Sequence, residues 1–87
     1  MTVKQATSHG WKLCAIDHEA TRKPVQIMAV SPDGSEFDHV QDNALQFAYE
    51  SIDAATHDAT RAGYVIAYTG NIWKVSAEAE RDYWKEH

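Results

Sequence analysis

ALQFAYESIDAATHDATRAGYVIAYTGNIWKV, from Ala44 to Val75, is the stretch whose reading decides the fold. Ser51 heads an alanine-rich run, and a serine there is a good N-cap because its hydroxyl accepts from the unpaired N–H groups of a first helical turn. A helix from Ile52 to Ala62 puts Ile52, Ala55, Ala59 and Ala62 on one stripe, small enough to lie close to a sheet. Asp53, His57, Thr60 and Arg61 then point away, and Gly63 stops the helix. Downstream, YVIAYT and IWKV flank Gly70-Asn71, a pattern that predicts a two-stranded hairpin with a two-residue turn. Such a hairpin carries Tyr64, Ile66, Tyr68, Trp73 and Val75 on one face, the expected core face. Upstream, Leu45, Phe47 and Tyr49 satisfy strand alternation, while Leu45, Ala48, Tyr49, Ile52 and Ala55 satisfy a helical spacing. The Ser51 cap favours a strand that ends where the helix begins.

Trp11–Asp17 reads as a strand with Trp11, Leu13 and Ala15 opposite Lys12, Cys14 and Ile16. Apolar groups on both faces predict a strand that is at least partly covered on each side. A loop is expected over Asp17–Pro24, then a second strand, VQIMAV, over 25–30, pairing antiparallel with the first. Ser31–Gly34, SPDG, is a strong turn signal. Ser35–Asn43 reads either as loop or as the opening turns of a longer helix. Ser76 can cap a short final helix to about Lys85, with Glu78 in its first turn. Met1–Gly10 is polar and patternless, as expected of a flexible tail. The whole predicts a single α+β domain over 1–87. Its sheet is small and mostly antiparallel, four to five strands, with one main helix packed on it and a short C-terminal helix.

Eighty-seven residues, 44% hydrophobic and 24% charged, are enough for one small core and exclude wholesale disorder. The net charge of −5 disfavours direct nucleic-acid binding, which calls for a basic patch. The single cysteine, Cys14, has no disulfide partner and reads as a small packed hydrophobe. MTVKQATSHG lacks the apolar core of a signal peptide, and no apolar run reaches membrane-span length, so a cytoplasmic location without membrane contact is expected.

Charge placement is the feature that departs from a bland pattern. Between Lys23 and Arg61 no Lys or Arg occurs, while seven acidic residues do: Asp33, Glu36, Asp38, Asp42, Glu50, Asp53 and Asp58. Such an interval is either an ordinary solvated surface or a face that attracts a basic protein partner. On the second reading the partner-binding residues are Glu36, Asp38, Asp42, Glu50, Asp53, His57 and Asp58. Five histidines include His39 near Asp38 and Asp42, and His57 near Asp53, but no metal-ligand spacing motif accompanies them, so no metal is expected. No nucleophile elbow, phosphate loop or dinucleotide fingerprint is present. The expectation is a protein without cofactor or catalysis.

The segment QFAYESIDAATHDATRAGYVIAYTGNIWKV, with the small size and acidity of the chain, resembles the strand–helix–hairpin layout of anti-CRISPR proteins, small phage-encoded inhibitors of bacterial immunity. The resemblance covers about a third of the chain and transfers no functional residue. It implies a CRISPR effector subunit or nuclease as the partner, inhibited in the host cell cytoplasm by blocked target-DNA binding or nuclease recruitment. The competing class is an antitoxin-like or oligomeric regulatory module, such as a homodimer. Tyr83 and Trp84 near the C-terminus are its candidate interface.

Overall fold

The computed structural model describes residues 1–18 and 23–86, and side chains over 1–17 and 25–86. Seven elements follow in order: α1 (Val3–Ser8), β1 (Lys12–His18), β2 (Lys23–Val30), β3 (Phe37–His39), α2 (Ile52–Arg61), β4 (Ile66–Asn71) and α3 (Ile72–Glu86). The four strands form one sheet in the order β3-β2-β1-β4. β1 pairs antiparallel with β2, and β2 with β3, whereas β1 and β4 run parallel. The α+β class therefore holds, with a mixed sheet where a mostly antiparallel one was expected. Half of the expected loop over Asp17–Pro24, residues 19–22, lies outside the described residues, and its two ends belong to β1 and β2.

β1 sits at the centre, and Leu13, Cys14, Ala15 and Ile16 are all buried. Alternation sends Ala15 to one side with Val25, Ile27 and Tyr49, against Ala55 and Ala59 of α2. It sends Cys14 and Ile16 to the other with Met28, Val30 and Tyr68, against Val75 and Ala79 of α3. The result is a helix–sheet–helix sandwich. The small alanines let both helices approach the strands closely. β4 supplies both sides because its register against β1 shifts between Leu13 and Cys14. Ile66 packs with the α2 side and Tyr68 with the α3 side.

The Ser51 cap is present, its hydroxyl accepting from the Ala54 N–H at 3.1 Å, and the α2 stripe faces the sheet as expected. The predicted hairpin does not form. Asn71 Oδ1 accepts from the Lys74 N–H at 2.9 Å, which makes Asn71 the cap of α3 rather than a turn residue. Gly70, at φ 139°, takes a backbone conformation that other residues rarely adopt, just before β4 gives way to α3. Once 72–75 are helical, a 3.6-residue period turns Ile72, Val75 and Ala79 inward and Trp73 outward, 83% exposed. The expected cap Ser76 lies inside α3, its hydroxyl donating to the Gly34 carbonyl at 2.6 Å. The C-terminal helix is thus 15 residues long, and among the described residues β4 finds only β1 as a strand partner.

The expected strand over 44–50 shrinks to one residue. Tyr49 exchanges both backbone hydrogen bonds with Val25, at 2.8 and 2.9 Å, while Phe47 is 82% exposed. Local bonds compete with a ladder there: the Ala44 N–H donates to Asp42 at 2.8 Å and the Gln46 N–H to the Tyr49 hydroxyl at 2.7 Å. Residues 1–10, where the sequence suggested a tail, contain α1. Thr2 and Gln5 cap it reciprocally, Val3 and Ala6 are buried, and the Met1 ammonium donates to the His39 carbonyl at 2.9 Å.

Two predictions follow from this packing. A methyl group at Gly34 meets the Ser76 carbonyl at 2.5 Å and sits on a backbone of φ +76°, whereas at Gly63 it meets only the strain of φ +89°. Gly63→Ala should cost about 1 kcal/mol and Gly34→Ala clearly more, read from urea denaturation midpoints; equal losses would contradict the α3 contact. Burial pushes the Cys14 thiol up to about 12. A thiol reagent at about pH 8 should therefore leave the native protein unlabelled and modify one equivalent after denaturation.

Candidate functional site

α2 and the segment leading into it shape the most sharply charged surface. Tyr49, held to β2 through Val25, brings residues 46–50 alongside the helix. Between them lies an open cleft of about 610 Å³ whose lining includes Gln46, Glu50, His57, Asp58 and Arg61. Glu50 and His57 are exposed, and Asp53, one turn before His57, is exposed in the first turn of α2, where the helix dipole favours a carboxylate. Asp58 is half-buried: it accepts from the Tyr49 hydroxyl at 2.5 Å and stands 3.7 Å from Arg61 Nη2. Burial, with Asp58 adding to it, pushes the Tyr49 phenol up to about 12.

The remaining candidates are spread along the same side of the sheet. Asp38 on β3 lies opposite Ala29 and shares the face covered by α2, with the Met1 ammonium 3.4 Å away. Asp42 accepts from the Tyr64 hydroxyl at 2.6 Å, and that tyrosine packs on the α2-side cluster. Glu36 stands apart, at the Ser31–Gly34 turn that contacts α3. The structure thus gathers Glu50, Asp53, His57 and Asp58, keeps Asp38 and Asp42 on the same side, and separates Glu36 from them. Asp42 and Asp58 are acceptors for core tyrosines. Among the described residues no salt bridge reaches Glu36, Glu50 or Asp53.

Two polar side chains here are engaged within the fold: Ser51 caps α2 and Asp58 holds Tyr49. His39 and Asp42 share one cleft and His57 and Asp58 another, and among the described residues no three His, Cys, Asp or Glu side chains gather as metal ligands. What the surface offers is fixed negative charge beside one imidazole.

A second polar array escaped the sequence reading. Lys12 Nζ lies 3.3 Å from the Tyr68 hydroxyl and 3.4 Å from Asp82, and the same hydroxyl donates to Asp82. This clamp joins β1, β4 and α3 across 56 and 70 residues of chain, so no local pattern announces it. The Tyr68 hydroxyl, with Lys12 adding to it, holds the Asp82 carboxyl below its ordinary value.

No protein-family model, no curated protein sequence and no solved structure matches this chain.

The Tyr64 hydroxyl likewise holds Asp42 below the ordinary carboxylate value. A carboxylate lowered on folding contributes stability in full above its ordinary pKa and loses it as pH falls through the depressed one. Melting temperature should therefore drop on acidification below about pH 4. Tyr64→Phe should flatten part of that drop while lowering the neutral-pH value; an unchanged acid limb would remove Asp42 from the account.

Proposed function

We propose that this protein is a non-catalytic binding protein that occupies a basic surface of a protein partner with the side of the sheet covered by α2. The observation that carries the reading is the exposure of Glu50 and Asp53, free of salt bridges to described residues, beside His57 and the cleft under residues 46–50. Exposed carboxylates outside any ion pair keep most of their field for an incoming partner, which speeds encounter and fixes orientation, and Arg61 in the same cleft stands beside Asp58. Asp38, Asp42 and Asp58 extend the negative side, although their first role is within the fold. The anti-CRISPR resemblance narrows the partner to a CRISPR effector subunit or nuclease, whose nucleic-acid-binding surface is basic and would be blocked by such a face.

The test uses a purified CRISPR effector in a target-DNA binding and cleavage assay. The protein should inhibit, and inhibition should weaken as salt rises. Glu50→Lys with Asp53→Lys, both on exposed positions, should abolish inhibition while leaving the melting temperature nearly unchanged. Full inhibition by the doubly reversed variant would sink the electrostatic mechanism.

A further inference from the structure

Between β2 and the segment that follows β3 lies a second cleft, of about 490 Å³, within the roughly 300–1,000 Å³ of small-ligand sites. Ile27 and Leu45, both of the α2-side cluster, give it an apolar wall. Phe47 also lines it, 82% exposed and outside both core clusters. Gln26, Gln41 and Gln46 add three carboxamides, Asp42 a carboxylate and His39 an imidazole. Among the described residues no Lys or Arg lines this cleft. The Met1 ammonium, bonded to Asp38 and the His39 carbonyl, is not among the lining groups either. Gln46 is shared with the cleft that holds Glu50 and Asp58, so the two adjoin.

We propose that this cleft receives an arginine side chain of the protein partner, its guanidinium stacked on Phe47 and bonded to Asp42. The Asp42 carboxylate is fixed before any ligand arrives. Oδ1 accepts from the Ala44 N–H at 2.8 Å and Oδ2 from the Tyr64 hydroxyl at 2.6 Å, and each oxygen keeps a lone pair for a further donor. A guanidinium brings five N–H donors in one plane, which the carboxylate and the carboxamide oxygens can share. Its flat face suits the phenyl ring of Phe47, and its apolar stem suits Ile27 and Leu45.

Other occupants fit this lining less well. An anion would meet a carboxylate and no Lys or Arg. A purely apolar side chain would leave the carboxylate and the carboxamides without partners, which costs more than its own burial returns. A lysine ammonium is compact and strongly hydrated, so it neither stacks as a plane nor spans several acceptors at once. Charge and position agree with the arginine. Glu50 and Asp58, in the adjoining cleft, attract the same basic surface that would present it. The assignment deepens the binding role proposed above, on which it rests, by naming the residue through which the partner is held.

Amide NMR titration of the full chain with N-acetyl-argininamide tests the site, with the lysine and citrulline analogues as controls. The arginine probe should perturb residues 40–47, the lysine analogue should bind more weakly, and the neutral citrulline analogue should leave the spectrum unchanged. Phe47→Leu should weaken probe binding by about 2–5-fold and Phe47→Trp should tighten it, a gain that a loss of folding could not produce. Phe47→Leu should also weaken inhibition in the effector assay at an unchanged melting temperature. Equal binding of the arginine and lysine analogues, indifference to Phe47, or displacement of the probe by adenosine overturns the proposal. Silence at residues 40–47 while the protein still inhibits removes the arginine site and leaves the binding role standing. Probe binding as expected without inhibition by the unmodified protein keeps the arginine site and removes the CRISPR partner alone.

Discussion

Four consecutive residues of β1, Leu13–Ile16, are buried, and a strand buried on both faces needs a cover on each. The rest of the molecule answers that constraint. β2 shares both cores through Val25 and Ile27 on one side and Met28 and Val30 on the other. α2 covers the first side and α3 the second. The chain reaches the far edge of the sheet by way of α2, and β4 comes to rest beside β1 in the parallel sense. A mixed sheet is the outcome because a helical crossover, α2, joins β3 to β4 and lets the two run the same way, parallel to β1.

Three tyrosines show how a small core is closed at its rim. Tyr49, Tyr64 and Tyr68 put their rings in or against the two clusters and their hydroxyls on Asp58, Asp42 and Asp82. Each pair satisfies a polar tip that burial would otherwise strand, and each ties together separate elements. Part of the acidity of this chain is therefore structural. Subtracting those carboxylates is what isolates Glu50 and Asp53 as charge presented to a partner. The two sides of the sandwich then differ in kind, one acidic around α2 and the other bearing two exposed tryptophans on α3.

Local pattern was enough for some of this. The Ser51 cap, the alanine stripe of α2, the stop at Gly63 and the turn at Ser31–Gly34 could all be read because each depends on neighbours within a few residues, and the antiparallel β1–β2 pair because the two strands are consecutive along the chain. The acidic interval was legible too, as a list of residues without a map of their neighbours. Gly70-Asn71 misled because the same pair serves a hairpin turn and a helix cap. Residues 72–75 fit strand alternation and a helical stripe equally well, and a period of two cannot be told from 3.6 over so short a run.

By itself, then, the sequence determined an α+β chain with a capped central helix, a strand apolar on both sides and a surplus of negative charge. Tertiary structure decided the parallel placement of β4, the conversion of the expected second hairpin strand into α3, and the separation of carboxylates that hold tyrosines from those left exposed. The physical reason is reach. Caps, turns and helical stripes are settled by atoms close along the chain, whereas the Lys12–Tyr68–Asp82 clamp, the Tyr64–Asp42 bond and the cover over β1 join residues 14 to 70 positions apart, or whole layers, and exist only once the sheet has formed.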